Sequence, residues 1–258
     1  MSEVITSKAN GLVKDLKRLA QDSTAYRRQG QVWLEGDHLV RAALQRGWPL
    51  RSLVVAESAT SQAPAAWAER AQAVHVVADG LWREFSGLES PASVGAVVEL
   101  APARAPQPQV PTVVLDRVQD AGNVGSILRS AAAFGFRQVV AFKGTAALWS
   151  PKVLRAGMGA HFGLHLVESA QADVLEALQL PLLATSSHEG QMLHEAQLPW
   201  PCAWIMGHEG QGVALDLMAR AAQQVRIAQP GGEESLNVAA AAAICLHASA
   251  LGALRPGS

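Results

Sequence analysis

TVVLDRVQDAGNVGSILRSAAAFGFRQVVAF, residues 112–142, decides the fold. It opens on an apolar run ending in Asp116. A polar loop follows, carrying Asn123 between Gly122 and Gly125, then a helical stretch closed by Gly135, then a second apolar run from Arg137. Strand, helix and strand in that order, with strands apolar along their whole length, describe a parallel sheet covered on both faces. Outward from it the alternation continues, with LHLVE, a helix near 172–179, PLLATS, CAWIMG and QVRIA. In such sheets the ligand crevice lies beyond the carboxyl ends of the strands. Two further segments fall after predicted strands. GHEGQG (207–212) sets Glu209 on a tight glycine turn, and GGEESLNVAAAAAICLHA (231–248) runs into a helix with Ser235 and Asn237 at the junction. Free N–H groups at helix starts and short polar side chains suit a ligand. The two helix junctions and the glycine-turn Glu together read as one composite polar site, and the chain as an enzyme.

Toward the N-terminus the pattern changes. APARAPQPQVP (101–111) holds four prolines, which forbid ladders and favour an extended spacer. It divides residues 1–100 from residues 112–258. The first part alternates a basic helix (11–20), a strand (32–36), a helix (37–46), a strand (51–56), a helix around 64–73 and strands at 74–78 and 95–100, a small α/β sandwich.

With 258 residues the chain can bury a sizeable core, and its net charge of −1 neither favours nor excludes nucleic acid. Charge distribution says more. Lys8, Lys14, Lys17, Arg18, Arg27 and Arg28 face only Glu3, Asp15 and Asp22 in the first 28 residues, either an RNA-facing cluster or a solvated helix face. Cys202 and Cys245 stand alone in apolar surroundings, and the pairs His161/His165 and His188/His194 lack a partner cluster, so no metal is expected. The N-terminus has no hydrophobic signal core and no apolar run reaches about 18 residues, so no membrane is expected and the cytoplasm is the expected compartment. The glycine patterns fit neither the dinucleotide fingerprint nor the phosphate-binding loop of nucleotide hydrolases.

Three segments in order, with matching internal spacing, resemble the motifs of SpoU-type (TrmH-like) RNA ribose 2′-O-methyltransferases of the SPOUT superfamily. The first is Asn123-Val-Gly-Ser-Ile-Leu-Arg129 continuing to Gly135. The second is Ile-Met-Gly207-His-Glu209-Gly210-Gln-Gly212. The third is Ile227 with Ser235-Leu236-Asn237-Val238 and the alanine-rich helix. SPKVLRAGMGA (150–160) is similar to the stretch between the first two, and the N-terminal part resembles an L30e-like substrate-binding domain. The sequence departs from the pattern at Gly157, where Ser is common, and at Ala228-Gln229, where Pro-Met is usual.

The resemblance implies a deep trefoil knot, S-adenosylmethionine as cofactor, a homodimer formed through the C-terminal domain and rRNA or tRNA as substrate. It implies Gly207, Ile227 and Leu236 as cofactor-binding positions and Arg129, Asn123, Glu209, Ser235 and Asn237 as catalytic ones. Arg129, two turns into its helix, can lean its fork back to the mouth of the site. Whether it removes the hydroxyl proton or orients and stabilises charge stays open, since a neutral guanidine is costly. Asn123 is expected to cap its helix and to fix Arg129 or the ribose, Glu209 to orient Arg129 or a loop amide, and Ser235 and Asn237 to position phosphate or hydroxyl. The alternative is a catalytically silent RNA-binding or ribosome-assembly protein on the same fold.

Overall fold

Short, mostly apolar runs form the strands, with helical runs between them, in two units. A computed structural model describes residues 3–61, 64–102, 105–186, 189–232 and 235–254. One unit comprises Met1–Pro102 with Trp149–Phe162, the other Ala103–Leu148 with Gly163–Ser258.

The first unit contains β1 (Val4–Ile5), α1 (Gly11–Gln21), α2 (Ala25–Gln29), β2 (Gln31–Glu35), α3 (Asp37–Gln45), β3 (Leu50–Ala56), α4 (Ala65–Ala68), β4 (Ala71–Val77), α5 (Asp79–Phe85) and β5 (Val94–Glu99). Its sheet runs β1-β4-β3-β5-β2, with β1, β4 and β3 parallel and β5 antiparallel to both its neighbours. Asn10 caps α1 by accepting from the Leu12 N–H, and Val13, Leu16, Leu19 and Ala20 turn inward. Lys14 and Lys17 stay exposed without an ion pair among the described residues, whereas Arg18 lies 3.6 Å from Asp15 and Arg28 2.7 Å from Asp22. The core is aromatic: Trp33 meets Trp82 and Phe85 edge-on at 5.8 and 5.9 Å. Gly95 is required there, because a Cβ would sit 2.2 Å from the Trp33 ring.

The helix expected over 64–73 is a single turn. β4 begins at Ala71, because Val74, Val76 and Val77 favour a pleated surface and pair in register with β3. β1, α2 and α5 were not expected from the sequence; α5 is held by burial of Leu81, Trp82 and Phe85.

The second unit contains β6 (Thr112–Leu115), α6 (Ala121–Ala133) and β7 (Gln138–Phe142). After it the chain forms α7 (Pro151–Gly157), which belongs to the first unit: Arg155 donates to the Gly87 carbonyl at 2.8 Å and Trp149 packs on Trp48. The second unit resumes with β8 (His165–Ala170), α8 (Val174–Ala177), β9 (Leu182–Thr185), β10 (Gln191–Met192), β11 (Ala203–Met206), α9 (Leu215–Arg220), β12 (Gln223–Arg226) and α10 (Val238–Ala253).

Its seven strands run β10-β12-β9-β11-β6-β7-β8, and every pairing is parallel. All residues of β6, β7 and β11 are buried, so both faces are covered as the apolar strands predict. One face packs Val114, Val140 and Ile205 against Leu175 and Leu217 of α8 and α9. On the other, the Trp204 indole donates to Ser249 of α10 at 2.8 Å, and α10 packs on α6. The chain enters at β6, builds outward through β7 and β8, then returns to the far side, so β6 and β11 meet where the direction of building reverses. There the register pairs Met206 with Leu115 and sets the loops after both strands side by side.

The end of the proline-rich stretch is docked: Gln107 exchanges two hydrogen bonds with buried Gln138, at 2.7 and 3.1 Å. Ala103, Arg104, His188, Glu233 and Glu234 lie outside the described residues. Among the described residues no group of three His, Cys, Asp or Glu could hold a metal, and no helix is long and apolar enough to cross a membrane.

Candidate active site

Because the seven strands are parallel, the loops after β6, β9, β11 and β12 all leave the same edge of the sheet. The loop after β11 folds back on itself: His208 and Gly212 exchange backbone hydrogen bonds at 3.0 and 2.8 Å. Gly207 admits no side chain, since a Cβ would lie 2.2 Å from the Gly212 carbonyl carbon and the Val213 nitrogen. Inside the loop, His208 Nδ1 accepts from the N–H groups of Gly210 and Gln211 at 3.0 and 3.2 Å, which puts the ring proton on Nε2.

A cleft of about 910 Å³ opens between this loop, Thr185 and Ser186 after β9, residues 225–229, and the segment Ser235–Leu236 before α10. Gly207, Ile227 and Leu236, the three expected cofactor positions, all line it. The volume suits a nucleoside-sized ligand, and the lining mixes backbone with Ile, Leu and Val, as a flat base with polar appendages requires. Ala228 and Gln229, the departures in the third motif, also line the cleft. Gly157 lies at the end of α7, in the first unit.

Beside the cleft, hydrogen bonds join three of the expected catalytic residues. Asn237 Nδ2 donates to Asn123 Oδ1 at 2.9 Å, and Asn123 Nδ2 donates to Glu209 Oε1 at 3.2 Å. Glu209 also accepts from the N–H groups of Asp120 (3.0 Å) and Gln119 (3.2 Å). Its partners are therefore loop amides and Asn123. Burial is the largest single influence on Glu209 and raises its pKa. Hydrogen bonds from the Asp120, Glu209 and Gln119 N–H groups and from Asn123 together outweigh it and hold the carboxyl below its ordinary value. The charged form is thus the one the site is built around.

Asn123 does not cap α6. Asp120 does, accepting from the Asn123 N–H at 2.7 Å, because the aspartate one turn earlier occupies the cap position. With the cap supplied by Asp120, the Asn123 side chain reaches Glu209 and Asn237 instead. Asn237 caps α10, accepting from Ala239 and Ala240. Ser235 sits in the loop before it, exposed and lining the cleft. Arg129 is exposed on α6, in line with Gly122 and Ser126 on the open side of the helix, and has no hydrogen bond or ion pair among the described residues.

Sequence reasoning missed Asp116, Arg117 and His208. Asp116 is buried beneath the fork of Arg117, whose pKa that carboxylate raises. An Asp closing an apolar strand, and a His inside a glycine turn, were the available signals. The two thiols take no part: burial pushes both Cys202 and Cys245 up to about 12.

At the carboxyl edge of a parallel sheet the chain thus carries a glycine-walled cleft with an Asn–Asn–Glu cluster beside it. The chain belongs to the SpoU rRNA methylase family, whose model matches residues 111–247, and an MRM3-like substrate binding domain matches residues 10–96. Over 94% of its length it is 34% identical to an uncharacterised tRNA/rRNA methyltransferase of Synechocystis, of which it covers 92%. It is 29% identical, over 94% of its length and 97% of the relative, to the 23S rRNA (guanosine(2553)-2′-O)-methyltransferase of Bacillus subtilis. An S-adenosylmethionine-bound rRNA methyltransferase from Sinorhizobium meliloti superposes with a TM-score of 0.84 at 27% identity, covering 98% of this chain and 99% of that one.

Proposed function

We propose that this chain methylates a ribose 2′-hydroxyl in structured rRNA, using Arg129, Asn123, Glu209, Ser235 and Asn237. The observation that carries the reading is the hydrogen-bond chain from Asn237 through Asn123 to Glu209, standing against a cleft lined by Gly207, Ile227 and Leu236. Those three residues would hold the cofactor, which supplies an electrophilic methyl group on a sulfonium. Glu209 keeps Asn123 oriented, and Asn123, Asn237 and Ser235 offer short polar groups to the ribose and its phosphate. Arg129 presents a fork that fits a phosphate through two hydrogen bonds. Its work is orientation and charge stabilisation, because a guanidinium keeps its proton in proteins and is a poor proton acceptor. Ribosomal RNA is favoured over tRNA by the relatives that match nearly end to end and whose names specify rRNA. Lys14 and Lys17, exposed and unpaired among the described residues, support RNA capture by the N-terminal domain.

In the same reading the C-terminal domain carries the family's trefoil knot, and the protein is a cytoplasmic homodimer. Support for the dimer comes from α10, which exposes Ala240, Ile244, His247 and Leu251, with Leu254 just past its end, at alternating spacings of four and three, the spacing of a helix-packing seam.

The test compares wild type with Arg129→Ala, following labelled methyl transfer to rRNA from cells lacking the gene and cofactor affinity by calorimetry. Transfer is expected to fall about 10³-fold, the scale of losing one preorganised charge-stabilising group, with cofactor affinity unchanged. Equal loss of both would make Arg129 cofactor-directed. Wild type that binds this rRNA without methylating it would favour the silent RNA-binding protein.

A further inference from the structure

One linkage between the loops after β6 and β11 has no part in the proposed chemistry. Asp116 is buried and accepts from both ends of the Arg117 fork, Nε at 2.7 Å and Nη2 at 3.0 Å, and from the Ala214 N–H at 2.8 Å. The remaining terminal nitrogen of Arg117, Nη1, donates to Gln211 Oε1 at 3.1 Å. Gln211 lies within the loop that walls the cleft, and Ala214 lies just past its end. Asp116 and Arg117 therefore grip that loop at two points.

Two features show that the site is shaped for this side chain. Arg117 has φ +57°, a left-handed backbone conformation that non-glycine residues seldom adopt. Gly144, at φ +97°, leaves room for the Arg117 stem, since a Cβ there would come within 3.2 Å of Arg117 Cγ. If neutralising Asp116 were the whole role, Gln211 would be irrelevant.

We infer that Arg117, seated on Asp116, is a positioning residue that holds the 207–212 loop in its cofactor-receiving shape through Gln211. This rests on the reading that the cleft takes S-adenosylmethionine. A loop fixed beforehand loses less freedom on binding, so the clamp acts on affinity.

The full-length protein, Gln211→Ala, Arg117→Lys and the double variant are compared by calorimetry with S-adenosylmethionine and by amide hydrogen exchange without it. Lys keeps a charge beside Asp116 but cannot reach both partners, and Gln211 is exposed, so all variants are expected to fold. Each single change is expected to raise Kd about tenfold, in line with losing a hydrogen bond to a charged group. It should raise the cofactor KM more than it lowers kcat, and the double variant should be no worse than either single one. Exchange at the amides of Gly210, position 211 and Gly212 should accelerate in each variant. Multiplying losses would overturn the inference by making Gln211 a direct cofactor contact, and so would unchanged exchange. Wild type that bound no cofactor would strike the proposed function instead, while the exchange measurement would still decide the clamp.

Discussion

The two helix starts that meet in the site divide their labour differently. At α6, capping falls to Asp120, and the Asn123 side chain in the first turn is left to reach Glu209 and Asn237. At α10, Asn237 does both: its oxygen accepts from Ala239 and Ala240 while its nitrogen donates to Asn123. Residues of one type, in sequence contexts alike, thus carry different loads. Helix stability and site geometry are separable at α6 and fused at α10.

Asn237→Ala breaks the comparison hardest. It should cost about 1 kcal/mol of stability, the worth of a cap, and reduce methyl transfer about 100-fold, a substantial share of what one preorganised donor contributes. Asn237→Asp sharpens the point: the cap acceptor survives and the donor to Asn123 is lost, so thermal unfolding should stay near wild type while transfer stays low. If Asn237→Asp retained full transfer, the link to Asn123 would be irrelevant to chemistry.

Asn123→Ala comes next. Transfer should again fall, by about ten- to 100-fold, but with the melting temperature nearly unchanged, because Asp120 still caps α6. A drop in stability matching that of Asn237→Ala would erase the distinction between the helices. Asp120→Ala is the mirror case, with stability lower by about 1 kcal/mol and transfer reduced only a fewfold, read from denaturant unfolding and initial rates on the same samples.

The smallest effect is the pH dependence of Glu209, which joins the α6 start to the loop after β11. Its folded pKa lies below the ordinary value, so its stabilising contribution is full above the unfolded value near 4.3 and is lost as pH falls through the lower folded value. The stability gap between wild type and Glu209→Gln should therefore be constant at neutral pH and shrink on acidification. A gap that widened toward acid would mean the hydrogen bonds favour the protonated form.

The βαβ unit was legible because its strands are apolar throughout and its helix is bounded by Asp120 and Gly135, all local signals. The glycine turn and the loop before α10 mark a polar site, but Gly207, Ile227 and Leu236, which line the cleft, are named only by the family resemblance. The α6 cap is ambiguous in the sequence because two cap-forming residues, Asp120 and Asn123, stand three apart and only the loop's path chooses Asp120. Arg117 leaves no signal in the sequence, because a charged residue after a strand looks like any solvated loop residue. Its importance depends on Gln211, 94 positions away.

Sequence by itself determined the alternation of strand and helix, the all-apolar strands that demand a two-sided cover, the tight glycine turn at Gly207 and the helix start at Asn237. These follow from side-chain periodicity and backbone sterics, which act over a few residues. Tertiary structure alone decided that β11 lies beside β6, that the loops after them are stapled by Glu209 and Arg117, and that residues 149–162 pack in the first unit. Those outcomes depend on register and burial between segments far apart in the chain, and neither leaves a periodic trace in either segment.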